Sequence, residues 1–200
     1  MLQEWASRIK LFKVPFSESL RRARNLPRAA HGMTLAHLGL AVCIFGFVGS
    51  SAWKEDVIAF ARAGTVVQVA GFDLTFEGVE EVQGPNYVAA RGTLAVHRDG
   101  EFVQYLYPER RNYPVARSQT TESAIRHTLA GDLYASMAEP AADTAGDAWT
   151  LRVIYEPLVN FIWLGSFMLV LGGALSLSDR RLRVGAPRRA KTPVAAQPAE

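Results

Sequence analysis

"GMTLAHLGLAVCIFGFVGSSAW", residues 32–53, decides how the rest of the chain is read. From Met33 to Ala52 it runs for 20 residues without a formal charge. At about 1.5 Å per helical residue, that length crosses the roughly 30 Å of a bilayer's hydrocarbon core. A second uncharged run of 20 residues follows at 158–177. The overall composition hides both: 49% apolar and 20% charged is ordinary for a soluble chain. Ser50-Ser51-Ala52 has some likeness to a signal cleavage site. The apolar run is longer than the roughly 7–15 residues of a signal h-region and the segment before it is long, so it reads as a retained span.

Charge gives the orientation. Of the 22 basic residues, 13 lie in the flanks outside the spans, against only four acids there. The segment between the spans, Trp53 to Pro157, carries 9 basic and 15 acidic residues. Positive flanks stay in the cytoplasm, so both termini are expected there and the loop is expected to be exported. The pI near 9 therefore reports topology and anionic lipid headgroups, and no nucleic-acid partner is expected. The organisation read from this is a basic cytoplasmic juxtamembrane segment at 1–31, a transmembrane helix at 32–53, an exported β-rich domain at 54–157, a second transmembrane helix at 158–178, and a basic tail at 179–200 that reads as disordered. Ser17 reads as the N-cap of a short helix between Pro15 and Pro27. The single cysteine, Cys43, lies within the first span, so the exported domain must hold together by packing without a disulfide.

That domain is strand-like. Residues 65–70, 72–76, 87–97, 101–107 and 148–155 read as strands, and Asp99-Gly100 reads as a hairpin turn because both residues tolerate positive φ. Residues 138–147, rich in Ala, Asp, Gly and Pro, read as a surface loop. The fold class is a membrane protein with two transmembrane α-helices flanking an extracytoplasmic, mainly antiparallel β domain, either a small barrel or a sandwich.

On a helical wheel at about 100° per residue, Gly32, Ala36, Gly39, Cys43, Gly46 and Ser50 form one narrow stripe. Small residues at this spacing let another helix approach closely. His37 falls nearly opposite, among Met33, Leu40, Ala41 and Ile44. An ionisable residue inside a span is a functional hypothesis by default. It could be a proton relay, an axial metal ligand or a hydrogen-bonder to a neighbouring helix. The apolar surroundings suit a porphyrin better than a proton path, since neither span holds Asp or Glu. His31, His97 and His127 read as interfacial or surface residues, with no second ligand at metal-binding spacing. A polar cluster, Arg110, Arg111, Glu122 and Asp132, reads either as ion pairs bracing the domain or as a carboxylate-binding patch that a haem propionate would suit. No nucleophile triad, phosphate loop, CxxC or HExxH appears.

Several stretches in order carry a resemblance. They are Gly32-Met33 with Leu35-Ala36-His37-Leu38-Gly39; Tyr107-Pro108-Glu109-Arg110-Arg111 with Tyr113-Pro114; Thr121-Glu122-Ser123-Ala124-Ile125; Asp132-Leu133-Tyr134; Trp149; Pro157-Leu158-Val159; Trp163-Leu164-Gly165; Gly172-Gly173; and Asp179-Arg180-Arg181. Together they resemble the C-terminal part of the CcmF/CycK family, the haem lyase components of bacterial cytochrome c maturation.

The resemblance implies that His37 is an axial ligand of a transmembrane b-type haem, with Met33, Leu40, Ala41 and Ile44 as its neighbours. It implies a bacterial inner membrane location and as partners the remaining CcmF-like polypeptide, other maturation proteins including the haem chaperone, apocytochrome c and the bilayer. The family's tryptophan-rich segment and second transmembrane ligand are not in this stretch. The expectation is therefore a split or truncated part of a haem lyase, not catalytic alone. The other expectation is a two-span interaction module in which His37 only bonds a neighbouring helix.

Overall fold

The computed structural model describes residues 2–10, 13–138 and 148–179. The surface loop read at 138–147 and the tail read at 179–200 lie outside these, apart from Ala138 and Asp179. The chain divides into two units, one of residues 1–41 with 165–200 and the other of residues 42–164. Two long helices contribute to both: α3 (Arg28–Ala52) and α4 (Asn160–Leu177). Each is long and apolar enough to cross a membrane. The helix α3 begins at Arg28, four residues before the span expected at 32–53.

In the first unit, α1 (Leu2–Ile9) and α2 (Phe16–Arg24) precede α3. The Pro15 carbonyl accepts the Ser19 N–H at 3.1 Å, so α2 starts at Phe16 and Ser17 sits inside its first turn, not at the N-cap. Asp179, buried just beyond α4, accepts the Ala29 N–H at 3.1 Å. A carboxylate there satisfies one of the free donors at the start of α3 and suits the positive end of its dipole. The helices run antiparallel with almost no gap. A Cβ added at Gly172 would meet Ala36 N at 2.5 Å, and one at Gly39 would meet Gly165 O at 2.7 Å. The small-residue stripe thus finds its partner helix within the same chain.

In the second unit, a Cβ at Gly46 would meet Ile162 N at 2.7 Å, and Phe45 meets Phe161 edge-on at 5.5 Å. Among the described residues ten strands follow α3: β1 (Glu55–Ala61), β2 (Val66–Val69), β3 (Phe72–Gln83), β4 (Val88–Arg98), β5 (Glu101–Leu106), β6 (Glu109–Tyr113), β7 (Ser118–Glu122), β8 (Ala124–Thr128), β9 (Gly131–Ala138) and β10 (Trp149–Pro157). They form two antiparallel sheets, β1-β10-β9-β8 and β2-β3-β4-β6-β7, with β5 also pairing β4. No ladder joins the two sheets among the described residues, so the domain is a sandwich and not a closed barrel.

Alternation builds its core. Phe72, Leu74 and Phe76 point inward from β3, and Leu94 and Val96 from β4. They meet Leu133 and Met137 of β9 and Leu151 and Val153 of β10. Gly78, at φ 147°, takes up a bulge that shifts the β3–β4 register after Phe76. Asp99 (φ 54°) and Gly100 (φ 81°) form the expected hairpin turn. Leu158, at φ 60°, turns the chain from β10 into α4, which is why the helix starts at Asn160.

Five strands escape the sequence patterns: β1 and β6 to β9. In β1 both faces are apolar, since Ile58 and Phe60 are exposed opposite buried Ala61. β6 carries Glu109 inward, a charge where a hydrophobe is expected. Arg91 Nε donates to Glu109 Oε1 at 2.7 Å and Arg111 Nε to Oε2 at 2.8 Å. Burial opposes ionisation of Glu109, but the two arginines outweigh it and hold the carboxyl below its usual range.

Two predictions follow the packing. Leu94→Ala is expected to cost about 2–5 kcal/mol in chemical denaturation, against about 0.5 kcal/mol or less for exposed Ile58→Ser. Because the Glu109 carboxyl is depressed in the folded state, its stabilisation is present at neutral pH and is lost as pH falls through that lowered value. Glu109→Gln should cost about 1.5–3 kcal/mol at pH 7. It should also flatten the acid limb of a stability–pH curve.

Candidate functional site

His37 stands on α3 with its ring exposed. Its Nδ1 lies 2.8 Å from the Met33 carbonyl, one turn earlier. A carbonyl only accepts, so Nδ1 carries a proton, and in the neutral tautomer Nε2 is the atom left with a lone pair. Self-bonding to its own helix fixes both the tautomer and the ring's direction, the task that a supporting partner performs for metal-ligating histidines.

Beside it in the same unit runs a groove of about 490 Å³, lined by His37, Met33, Ala36, Gly172, Gly173 and Ser176 among others. The wheel placed His37 nearly opposite the small stripe, but in the structure it borders that seam. The reason lies on α4, where two glycines leave no side chain to fill the space. Gly172 is needed for close packing. Gly173 is not, because a Cβ there would meet nothing within 4 Å. Of the four neighbours expected around His37, only Met33 lines the groove. Leu40, Ala41 and Ile44 are exposed and do not line it. They continue an open apolar face along α3.

The haem expected from the resemblance needs an unprotonated imidazole nitrogen beside apolar space. The bare Nε2 of His37 and the adjoining groove meet both needs.

The polar cluster does not stay together. Arg111 binds Glu109 and lies 3.8 Å from Glu122, with its guanidinium 4.5 Å over the Tyr87 ring. Arg110 alternates to the other face of β6 and donates to Gln119 at 2.7 Å and Thr121 at 3.3 Å. Asp132 lies on β9 in the other sheet, while Arg110 and Arg111 lie on β6 and Glu122 on β7. The bracing role fits Arg111 and Glu122.

Asp132 instead pairs with His127, read from sequence as an isolated surface residue. The two face each other across β8 and β9, with His127 Nδ1 2.8 Å from Asp132 Oδ2. Asp132 also accepts from Tyr134 at 3.4 Å and from Asn160 Nδ2 at 3.5 Å. Burial and the neighbouring Asp132 and Glu156 charges raise the Tyr134 phenol. The tight turn at Leu129-Ala130 was the available signal, since it places residues 127 and 132 in register.

Comparisons with known proteins agree with this architecture. Residues 52–157 match the family described as the CcmF C-terminal beta-sandwich. The chain is 41% identical over 193 residues to the cytochrome c-type biogenesis protein CycK of Bradyrhizobium diazoefficiens, covering 96% of this chain and 29% of that protein. It is 40% identical over 172 residues to the cytochrome c-type biogenesis protein CcmF of Pseudomonas aeruginosa, covering 86% of this chain and 26% of that one. The solved structure of a cytochrome c haem lyase CcmF superposes with a TM-score of 0.62 at 19% identity, over 86% of this chain and 27% of that chain, and shows the shared fold. The chain spans less than a third of the length of these curated relatives. With a sandwich matched over its whole length and two helices beside it long and apolar enough to cross a membrane, the chain belongs to the CcmF C-terminal beta-sandwich family.

Proposed function

We propose that the chain forms the C-terminal part of a CcmF-type haem lyase and supplies one axial ligand, His37, to a transmembrane b-type haem. The observation that carries this reading is the Nδ1–Met33 hydrogen bond at 2.8 Å, which leaves an exposed, fixed imidazole with Nε2 free to ligate. The bound haem supplies one-electron redox chemistry. The protein's part is to hold the imidazole through Nδ1, to aim it, and to keep water away with the apolar face that includes Met33, Leu40 and Ile44. The second axial ligand comes from the remaining CcmF-like polypeptide.

The two apolar helices support a location in the bacterial inner membrane. The positive-inside rule puts both termini in the cytoplasm and the sandwich in the periplasm, where it meets the haem chaperone and apocytochrome c. The charged flanks suit the anionic headgroups of the inner leaflet. A purely helix-bonding role for His37 has less support, because the hydrogen bond it makes is to its own helix.

Two experiments test this. Co-expressed with the remaining CcmF-like polypeptide and purified in detergent, His37→Ala should lose the b-type absorption of the reduced spectrum and lower cytochrome c yield. Full absorption and yield in that variant would sink the ligand role. Gly173→Leu adds a side chain at a position where a Cβ meets nothing within 4 Å, so haem occupancy should drop several-fold with no loss of thermal stability in the complex. Unaltered occupancy would show that the groove plays no part.

A further inference from the structure

The segment before α3 carries an apolar pair that no described residue covers. Helix α1 packs against α2, and Ile9 and Ser19 are buried. On α2, however, Phe16 is 77% exposed and Leu20 is 53% exposed. They lie four residues apart and so share one face of the helix. Arg24, four residues further on, continues that row, and exposed Arg21 flanks it. Glu18, the only acid of α2, is engaged elsewhere. It accepts from Arg22 Nη2 at 2.8 Å and Nε at 3.2 Å, and lies 3.8 Å from Arg21. The Arg22 hydrogen bond holds the Glu18 carboxyl below its usual range, so this pair stays charged. Arginines in a last turn also suit the helix dipole, but that accounts for Arg24 alone. It leaves two large apolar side chains facing water.

The position of α2 says what covers them. Helix α3 starts at Arg28, about 7.5 Å along the axis before its uncharged run begins at Met33. One headgroup layer is about 5–8 Å deep. Residues 25–27 join α2 to α3 and reach at most about 14 Å. Thus α2 is tethered beside the phosphates from which α3 emerges. A short helix with an apolar row and arginines beside it, held at that level, has the make-up of an interfacial helix. Its nine residues are also too few to keep a helix stable in water without a surface to pack on.

We propose that the outward face of α2 docks on anionic phospholipid headgroups, with Phe16 and Leu20 at the acyl boundary and Arg21 and Arg24 on lipid phosphates. This narrows the basic character of the whole flank to one surface and two arginines. It rests on the reading of α3 as a membrane span and is independent of haem.

The test is amide hydrogen exchange of the whole chain in nanodiscs of phosphatidylcholine, with and without added phosphatidylglycerol. Exchange over residues 16–24 is expected to slow about tenfold when the anionic lipid is present. Arg21→Gln with Arg24→Gln should remove most of that slowing, and Phe16→Ser with Leu20→Ser all of it. Unchanged exchange in the sandwich strands shows that each variant is folded. Equal exchange in the two lipids, or slowing untouched by the arginine pair, would overturn the proposal. So would slowing that appears only when the remaining CcmF-like polypeptide is present, since a protein then covers the face. Failure of the span reading registers separately, as fast exchange throughout α3 in both lipids.

Discussion

The sandwich is closed by pairing its first strand with its last. β1 and β10 run antiparallel from Glu55↔Tyr155 to Ala61↔Trp149, so the chain leaves α3 and enters α4 at neighbouring points. Within residues 42–164 this brings Gly46 against Phe161 and Ile162, and Gly49 against Leu158. Helices whose ends are tethered this closely must pack, and in lipid no hydrophobic force drives packing. Close van der Waals contact has to do it, which explains why the contact positions are glycine. The ion pairs near this junction, Lys54 with Glu156 at 3.7 Å and Arg152 with Asp56 at 2.6 Å, are partly exposed and add little to the ladder beneath them.

His37 and His127 show one device at two places. Each ring places Nδ1 2.8 Å from a fixed acceptor. The acceptor is the backbone carbonyl one turn away for His37 and a buried carboxylate across a strand pair for His127. In a membrane helix the backbone acceptor costs no buried charge. On the sandwich surface a carboxylate can be afforded, because Tyr134 and Asn160 satisfy it.

Much of the architecture was legible in the residues. The two uncharged runs, the small-residue stripe and the Asp99-Gly100 turn each rest on a local rule, and the structure follows them. The strands that were missed have physical reasons. β7, Ser118–Glu122, is almost wholly exposed and has no apolar alternation to find. β6 hides its inward position behind Glu109, whose charge is matched by Arg91 on β4, 18 residues away. β9 does alternate through Leu133, Ala135 and Met137, and its signal was masked by the polar residues on either side.

The sequence by itself determined which segments are apolar enough for a bilayer, which face of α3 seeks a partner, and that His37 is the one histidine in an apolar run. Those follow from composition and period, which are local. Tertiary structure alone decided that the β domain is a sandwich, that Asp132 belongs with His127 and not with Arg111, and that His37 borders a groove kept open by Gly173. These depend on strand register and on what the facing helix lacks. Both are set by contacts between residues far apart in the chain, where no local pattern reaches.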